Sequence, residues 1–127
     1  MLAAIRAALA DGMLVPYIGP GALDLAREEA DGALPIPVSA EALVKRLVAN
    51  VTVPHKLRGN LTGAAQYIEN FKHRKSVVAQ MTAAFGAEAA AAVAPTSLHR
   101  FLAAQTNLPL LVHAWYDDLP QKALAGR

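Results

Sequence analysis

The sequence predicts a helix-rich α/β domain, and three observations carry that prediction. Hydrophobic residues make up 54% of the chain, with aromatics at 6% and charged residues at 17%. Much of that apolar content is alanine, which favours helix and buries little area per residue, so closely packed helices are expected. Two short apolar runs, residues 13–18 and 108–112, have strand character, and the segments between them read as helix or loop. At 127 residues, with neither an internal repeat nor a dividing linker, the whole chain 1–127 is expected to form one domain.

Residues 2–10 carry Leu2, Ile5 and Leu9 at helical spacing and stop at Asp11-Gly12. The opening MLAAIRAALADG has the look of a secretion signal, but Arg6 and Asp11 interrupt its apolar core, so an amphipathic helix is expected. Residues 13–18 read as a short buried strand, with Pro16 marking an edge or a bulge. A helix over 24–30 and an extended loop over 31–37, rich in glycine and proline, follow. Ser39 suits the N-cap of a helix over 40–50, with Glu41 in its first turn and Leu43, Val44 and Leu47 inward. Asn60 or Thr62 caps a helix reaching Lys72. Residues 74–85 place Val77, Val78, Met81 and Phe85 at helical spacing, and Gly86 supplies the stop. The alanine-rich 88–94 adds a turn or two of helix. A helix starting at Pro95-Thr96-Ser97 runs to Ala104 with Leu98, Phe101 and Leu102 inward, residues 108–112 form the second strand, and 117–125 close the chain. The expectation is two short strands and about six to seven helices.

Composition removes several classes of function. With no cysteine the chain has no disulfide, thiolate metal site or cysteine nucleophile, which fits a cytoplasmic protein. No run approaches the roughly 18 uncharged apolar residues of a membrane span, so no membrane is expected. The net charge of +2 and pI near 9.2 are concentrated at residues 55–58 and 72–75. His55 and His73 sit among those cations and read as solvated surface, and no metal site is expected. Tyr67 and Phe71 precede the second cluster and invite a nucleic-acid reading. A solvated helix face explains them as well, so nucleic acid is not an expected partner.

The run Gly19-Pro20-Gly21 ends the first strand and opens a helix, a place where unpaired N–H groups and a partly positive helix end suit phosphate. A dinucleotide fingerprint would have a third glycine where Asp24 stands, and Asp24 supplies that helix end with its own negative charge. By spacing alone a plain strand-to-helix turn is favoured over a phosphate cradle.

Two later stretches add weight to the cradle. Pro95-Thr96-Ser97-Leu98-His99-Arg100-Phe101, the strand after it, and His113-Ala114-Trp115-Tyr116-Asp117 resemble the sirtuin (SIR2) family, in its SIR2-like branch, across residues 13–124. In that family a first strand ends in a G-A-G turn, a helical excursion leads to a P-T-x-x-H helix, and a second strand ends in T-Q-N-I-D or T-x-N-Y-D. The resemblance implies a partial Rossmann-like domain with two short parallel strands and NAD or ADP-ribose as ligand. Gly19 and Gly21 would face the pyrophosphate, Asp117 would hold the nicotinamide amide, and His99 would be structural. Trp115 stands where the family has the asparagine that orients the ribose and its attacking water, and equally suits packing. Pro20 replaces the alanine of G-A-G, Leu23 replaces a serine or threonine, and the family's catalytic histidine falls beyond the second strand, past the end of this chain.

The expectation is therefore a SIR2-like module that binds a nucleotide or a protein partner without catalysis. Two alternatives stay open. One is an NAD-consuming hydrolase or deacylase completed by another chain, with His113, at the end of the second strand, as candidate base. The other is a helical interaction protein with no ligand, in which Asp117-Asp118 only cap the last helix. Two short parallel strands make little sheet. A homo-oligomer or protein complex is accordingly expected, burying Leu110, Val112 and Trp115 or the apolar faces of 40–50 and 74–85.

Overall fold

The computed structural model describes residues 1–125. In chain order they form α1 (Leu2–Ala10), β1 (Tyr17–Ile18), α2 (Ala22–Glu29), α3 (Ala40–Leu47), a 3-10 turn (His55–Leu57), α4 (Leu61–Phe71), α5 (Arg74–Phe85), α6 (Ala87–Ala91), α7 (Ser97–Ala103), β2 (Val112–His113) and α8 (Leu119–Ala125). The helix-rich α/β class stands. β1 and β2 form a two-stranded parallel sheet with Tyr17 opposite Val112 and Ile18 opposite His113. The chain gathers into two compact units, one made of Met1–Gly32 with the chain from Ala94 onward, the other of Ala33–Val93.

In the first unit both strands are shorter than the apolar runs suggested. Residues 13–18 are not buried throughout: Met13, Val15 and Tyr17 are exposed, while Leu14, Pro16 and Ile18 turn inward. An all-apolar run concealed the period-two alternation of a half-buried strand. Val112 N–H donates to the Pro16 carbonyl at 2.9 Å and Ala114 N–H to that of Ile18 at 2.8 Å. Pro16 has no N–H to return, so the ladder ends there. The second strand lies at Val112–His113 and not over 108–112, since Pro109 again lacks a donor and Leu110 is 58% exposed.

The helices of this unit show similar shifts. α1 forms as expected but buries nothing, with Leu2 and Ile5 exposed. Its C-terminus is held by Gly12 at φ +69 and by the Asn107 amide, which donates to the Ala10 carbonyl at 2.7 Å. α2 starts two residues before the expected point and ends with Asp31 at φ +54. There Gly32 N–H reaches back to Arg27 O and Asp31 N–H to Glu28 O, the two bonds of a Schellman end. In α7 the buried stripe is His99 and Leu102, and Leu98 and Phe101 are exposed. The Thr96–His99 capping pair lies inward, which turns the helix about one residue from the expected face. α8 starts at Leu119, because Asp117 and Asp118 serve its N-terminus instead of joining it. Asp117 Oδ2 accepts Leu119 N–H at 3.2 Å, and Lys122 N–H reaches Asp118 O at 3.0 Å.

The second unit is a cluster in which α3, α4 and α5 pack on one another and α6 packs on α5. Ser39 Oγ caps α3 by accepting Ala42 N–H at 3.1 Å, and Asn60 Oδ1 caps α4 through Gly63 N–H at 3.0 Å. α3 stops at Leu47, three residues short of the expected end, and buries Leu43, Val44 and Leu47. Its apolar face is thus covered within the unit and is not left for an interface. α5 buries only Ala84, and Val78 is exposed. A Cβ at Gly86 would overlap the Thr82 carbonyl oxygen, so this position between α5 and α6 requires glycine. Among the described residues no helix is long and apolar enough to cross a membrane.

Candidate functional site

Because β1 and β2 run parallel, the segments that follow them leave the same edge of the sheet. Gly19-Pro20-Gly21 follows β1, and Ala114 to Asp117 follows β2. This carboxyl edge is where open α/β sheets place their ligands. The pairing therefore brings the glycine turn and the His113–Asp117 segment, 92 and more residues apart in sequence, to one end of the first unit.

The glycine turn is open, and the three N–H groups that follow it are engaged. Ala22 N–H bonds to Gly19 O at 3.2 Å, Leu23 N–H to Pro20 O at 2.9 Å and Asp24 N–H to Gly21 O at 3.2 Å. Pro20 contributes no N–H at all. A Cβ at Gly19 or Gly21 would meet nothing within 4 Å, and Gly21 has ordinary helical angles, φ −58 and ψ −24. Neither glycine is required by the surrounding protein. The turn offers clear space beside its backbone, while the N–H groups of Ala22, Leu23 and Asp24 point back to it instead of to an anion.

Across the edge, His113 Nε2 lies 3.0 Å from Asp117 Oδ1, while Asp117 Oδ2 accepts Leu119 N–H. The two side chains are 13% and 5% exposed, so this is a largely buried pair. With Nε2–H donating to the carboxylate, the neutral imidazole keeps its lone pair on Nδ1, the atom that could take up a proton. Both Asp117 oxygens already have partners, one on the ring and one on the start of α8. Trp115 is half-buried with its ring 5.1 Å from that of the exposed Tyr116.

α7 adds a second buried imidazole. Thr96 N–H donates to His99 Nδ1 at 3.2 Å and His99 N–H donates to Thr96 Oγ1 at 3.3 Å, a capping box in which histidine takes the place of the usual glutamate. Nδ1 is thereby an acceptor and the ring proton sits on Nε2. Burial pushes the His99 pKa below the ordinary histidine value, Asp117 opposes that shift, and His113 reinforces it. Glu29, at the end of α2, accepts Ser97 N–H with both oxygens at 3.1 Å, and the Ser97 hydroxyl also donates to it. The Ser97 hydroxyl and then its N–H hold the Glu29 carboxyl below its usual range.

His99 binds a proton more weakly folded than unfolded, so the unfolded chain takes up more protons as the pH falls. Its neutral-state contribution is present in full above the ordinary histidine value of 6.5 and is lost as the pH drops below it. His99→Gln is expected to flatten that part of the stability–pH curve, read from urea midpoints between pH 7.5 and 5; an unchanged slope would place the titration elsewhere.

No family model matches the chain, and neither the curated proteins nor the solved structures give a match. The sirtuin resemblance thus rests on motif order. The structure brings Gly19, Gly21, His113, Trp115 and Asp117 to the ends of the paired strands, and His99 within electrostatic reach of Asp117 and His113. Sequence reasoning missed the Glu29 cap, for which a glutamate at a helix end gives no signal. It also missed the Thr96–His99 box, for which T-x-x-H in place of T-x-x-E was the available cue. Among the described residues no group of three or more His, Asp or Glu is disposed to hold a metal ion.

Proposed function

We propose that the chain is a SIR2-like, partial Rossmann-like module that binds NAD or ADP-ribose weakly at the carboxyl edge of its parallel strands, without turning it over. The observation that carries this reading is the convergence there of a sterically open glycine turn with the Asp117 segment. Weakness follows from the engaged N–H groups of residues 22–24 and from the absence of one at Pro20, which leave a pyrophosphate few donors. Dissociation constants near the millimolar range, about 4 kcal/mol, are expected by calorimetry. Trp115→Asn should tighten binding if the ring occupies ligand space. No heat from a folded protein at millimolar NAD or ADP-ribose would overturn the reading.

The His113–Asp117 pair favours a second reading, an NAD-consuming enzyme completed by another chain, because a buried carboxylate orients the ring as a base requires. Nicotinamide release that disappears in His113→Ala would establish it. The module is further proposed to work in a homo-oligomer or protein complex, supported by the exposed Met13, Val15, Tyr17 and Leu110 beside its short strands.

A further inference from the structure

The second unit carries seven lysines and arginines against three glutamates, although the whole chain is only +2. Part of that charge surrounds a cavity of about 680 Å3 between α3 and the 3-10 turn, a size typical of small-molecule sites. Val48, half-buried just past the end of α3, gives it an apolar edge beside the buried Val44, and the exposed Lys45, His55, Lys56 and Arg58 stand around it with Glu41. Arg58 is fixed in direction: its Nε donates at 3.2 Å to the carbonyl of Val53, a residue 2% exposed. The anchor leaves both Nη groups for a bidentate oxyanion, the arrangement for which a guanidinium is suited. Lys56 is exposed, and Lys45 pairs with Glu41 at 3.5 Å, an exposed contact that a ligand can displace at little cost.

We propose that this cavity binds the phosphate monoester of a small hydroxyl-bearing molecule. Arg58 and Lys56 hold the phosphate, Val48 carries the carbon skeleton, and Glu41 accepts from a hydroxyl. The groove is open to solvent, but its cations are confined to Lys45 and residues 55–58, which favours a small ligand over a nucleic-acid strand that would need a continuous basic track. The site lies in a different unit from the strand edge and does not depend on the nucleotide reading.

The test is a titration of the full chain with ribose 5-phosphate, ribose and inorganic phosphate, followed by backbone amide NMR. Saturable shifts confined to residues 41–59 are expected with ribose 5-phosphate, none with ribose, and weaker ones with phosphate. Arg58→Gln should weaken binding about tenfold and Lys56→Ala about threefold. Lys56 is exposed, so its replacement leaves the fold intact. Lys75→Ala, an equal charge loss outside the cavity, should change nothing. The proposal is overturned if Lys75→Ala weakens binding as much as Lys56→Ala. It is also overturned if phosphate binds as tightly as ribose 5-phosphate, or if a single-stranded oligonucleotide binds and ribose 5-phosphate does not displace it.

Discussion

Asp117→Ala is expected to lower the free energy of unfolding by about 3 kcal/mol, because two donors lose their acceptor in a buried place and each such loss costs about 1–3 kcal/mol. The carboxylate serves two donors at once, His113 Nε2 through Oδ1 and Leu119 N–H through Oδ2. Alanine leaves the ring and the first turn of α8 without their acceptor in a place water reaches poorly. Asp117→Asn keeps one carbonyl acceptor and should lose about half as much, since a hydrogen bond to a neutral acceptor contributes roughly 1 kcal/mol. Urea denaturation at pH 7 measures both. A loss below about 0.5 kcal/mol for alanine, the usual range for surface changes, would mean that Asp117 is not structural. Its carboxylate would then be free for a ligand, which strengthens the nucleotide reading.

The second large effect belongs to the other unit. Leu43 is 0% exposed, on the face of α3 that also buries Val44 and Leu47. Leu43→Ala should cost about 3 kcal/mol, from lost transfer free energy and an incompletely collapsed cavity. Val44 also lines the phosphate cavity, so Leu43→Ala should weaken ribose 5-phosphate binding only as far as it unfolds the protein. A thermal melt with and without that ligand separates the two; a Leu43→Ala protein as stable as the parent would mean that α3 packs less tightly than its exposure indicates.

Helix caps and stops were the most legible features. Ser39, Asn60 and Gly86 all act where sequence logic puts them, because a cap is a local interaction between neighbours in the chain. Which side of a helix faces inward was less legible. Leu98 and Phe101 promised one stripe on α7, but the Thr96–His99 box selected the adjacent one, and nothing local ranks a capped histidine above a phenylalanine. Strand ends are less legible, because an apolar run does not report where pairing stops, and Pro16 and Pro109 limit the ladder through donors they lack. For the site, Asp117 was equally readable as cap or ligand holder. The structure gives it the capping role, with His113 as an additional partner that the four-residue spacing alone did not reveal.

The pairing of Tyr17 with Val112 has a consequence for the order in which the protein forms. Residues 33–93 make their helix contacts over short stretches of chain, and such low-contact-order clusters assemble in microseconds to milliseconds. The two-stranded sheet instead closes a loop that takes in most of the molecule, and its closure entropy must be met before the strands give anything back. On a ribosome adding roughly 5–20 residues per second, the helical cluster emerges and can close before β2 leaves the ribosome to pair. The first strand, with Met13, Val15 and Tyr17 along its side, therefore waits unpaired for seconds during each round of synthesis. In that interval it is open to a chaperone or to a neighbouring nascent chain.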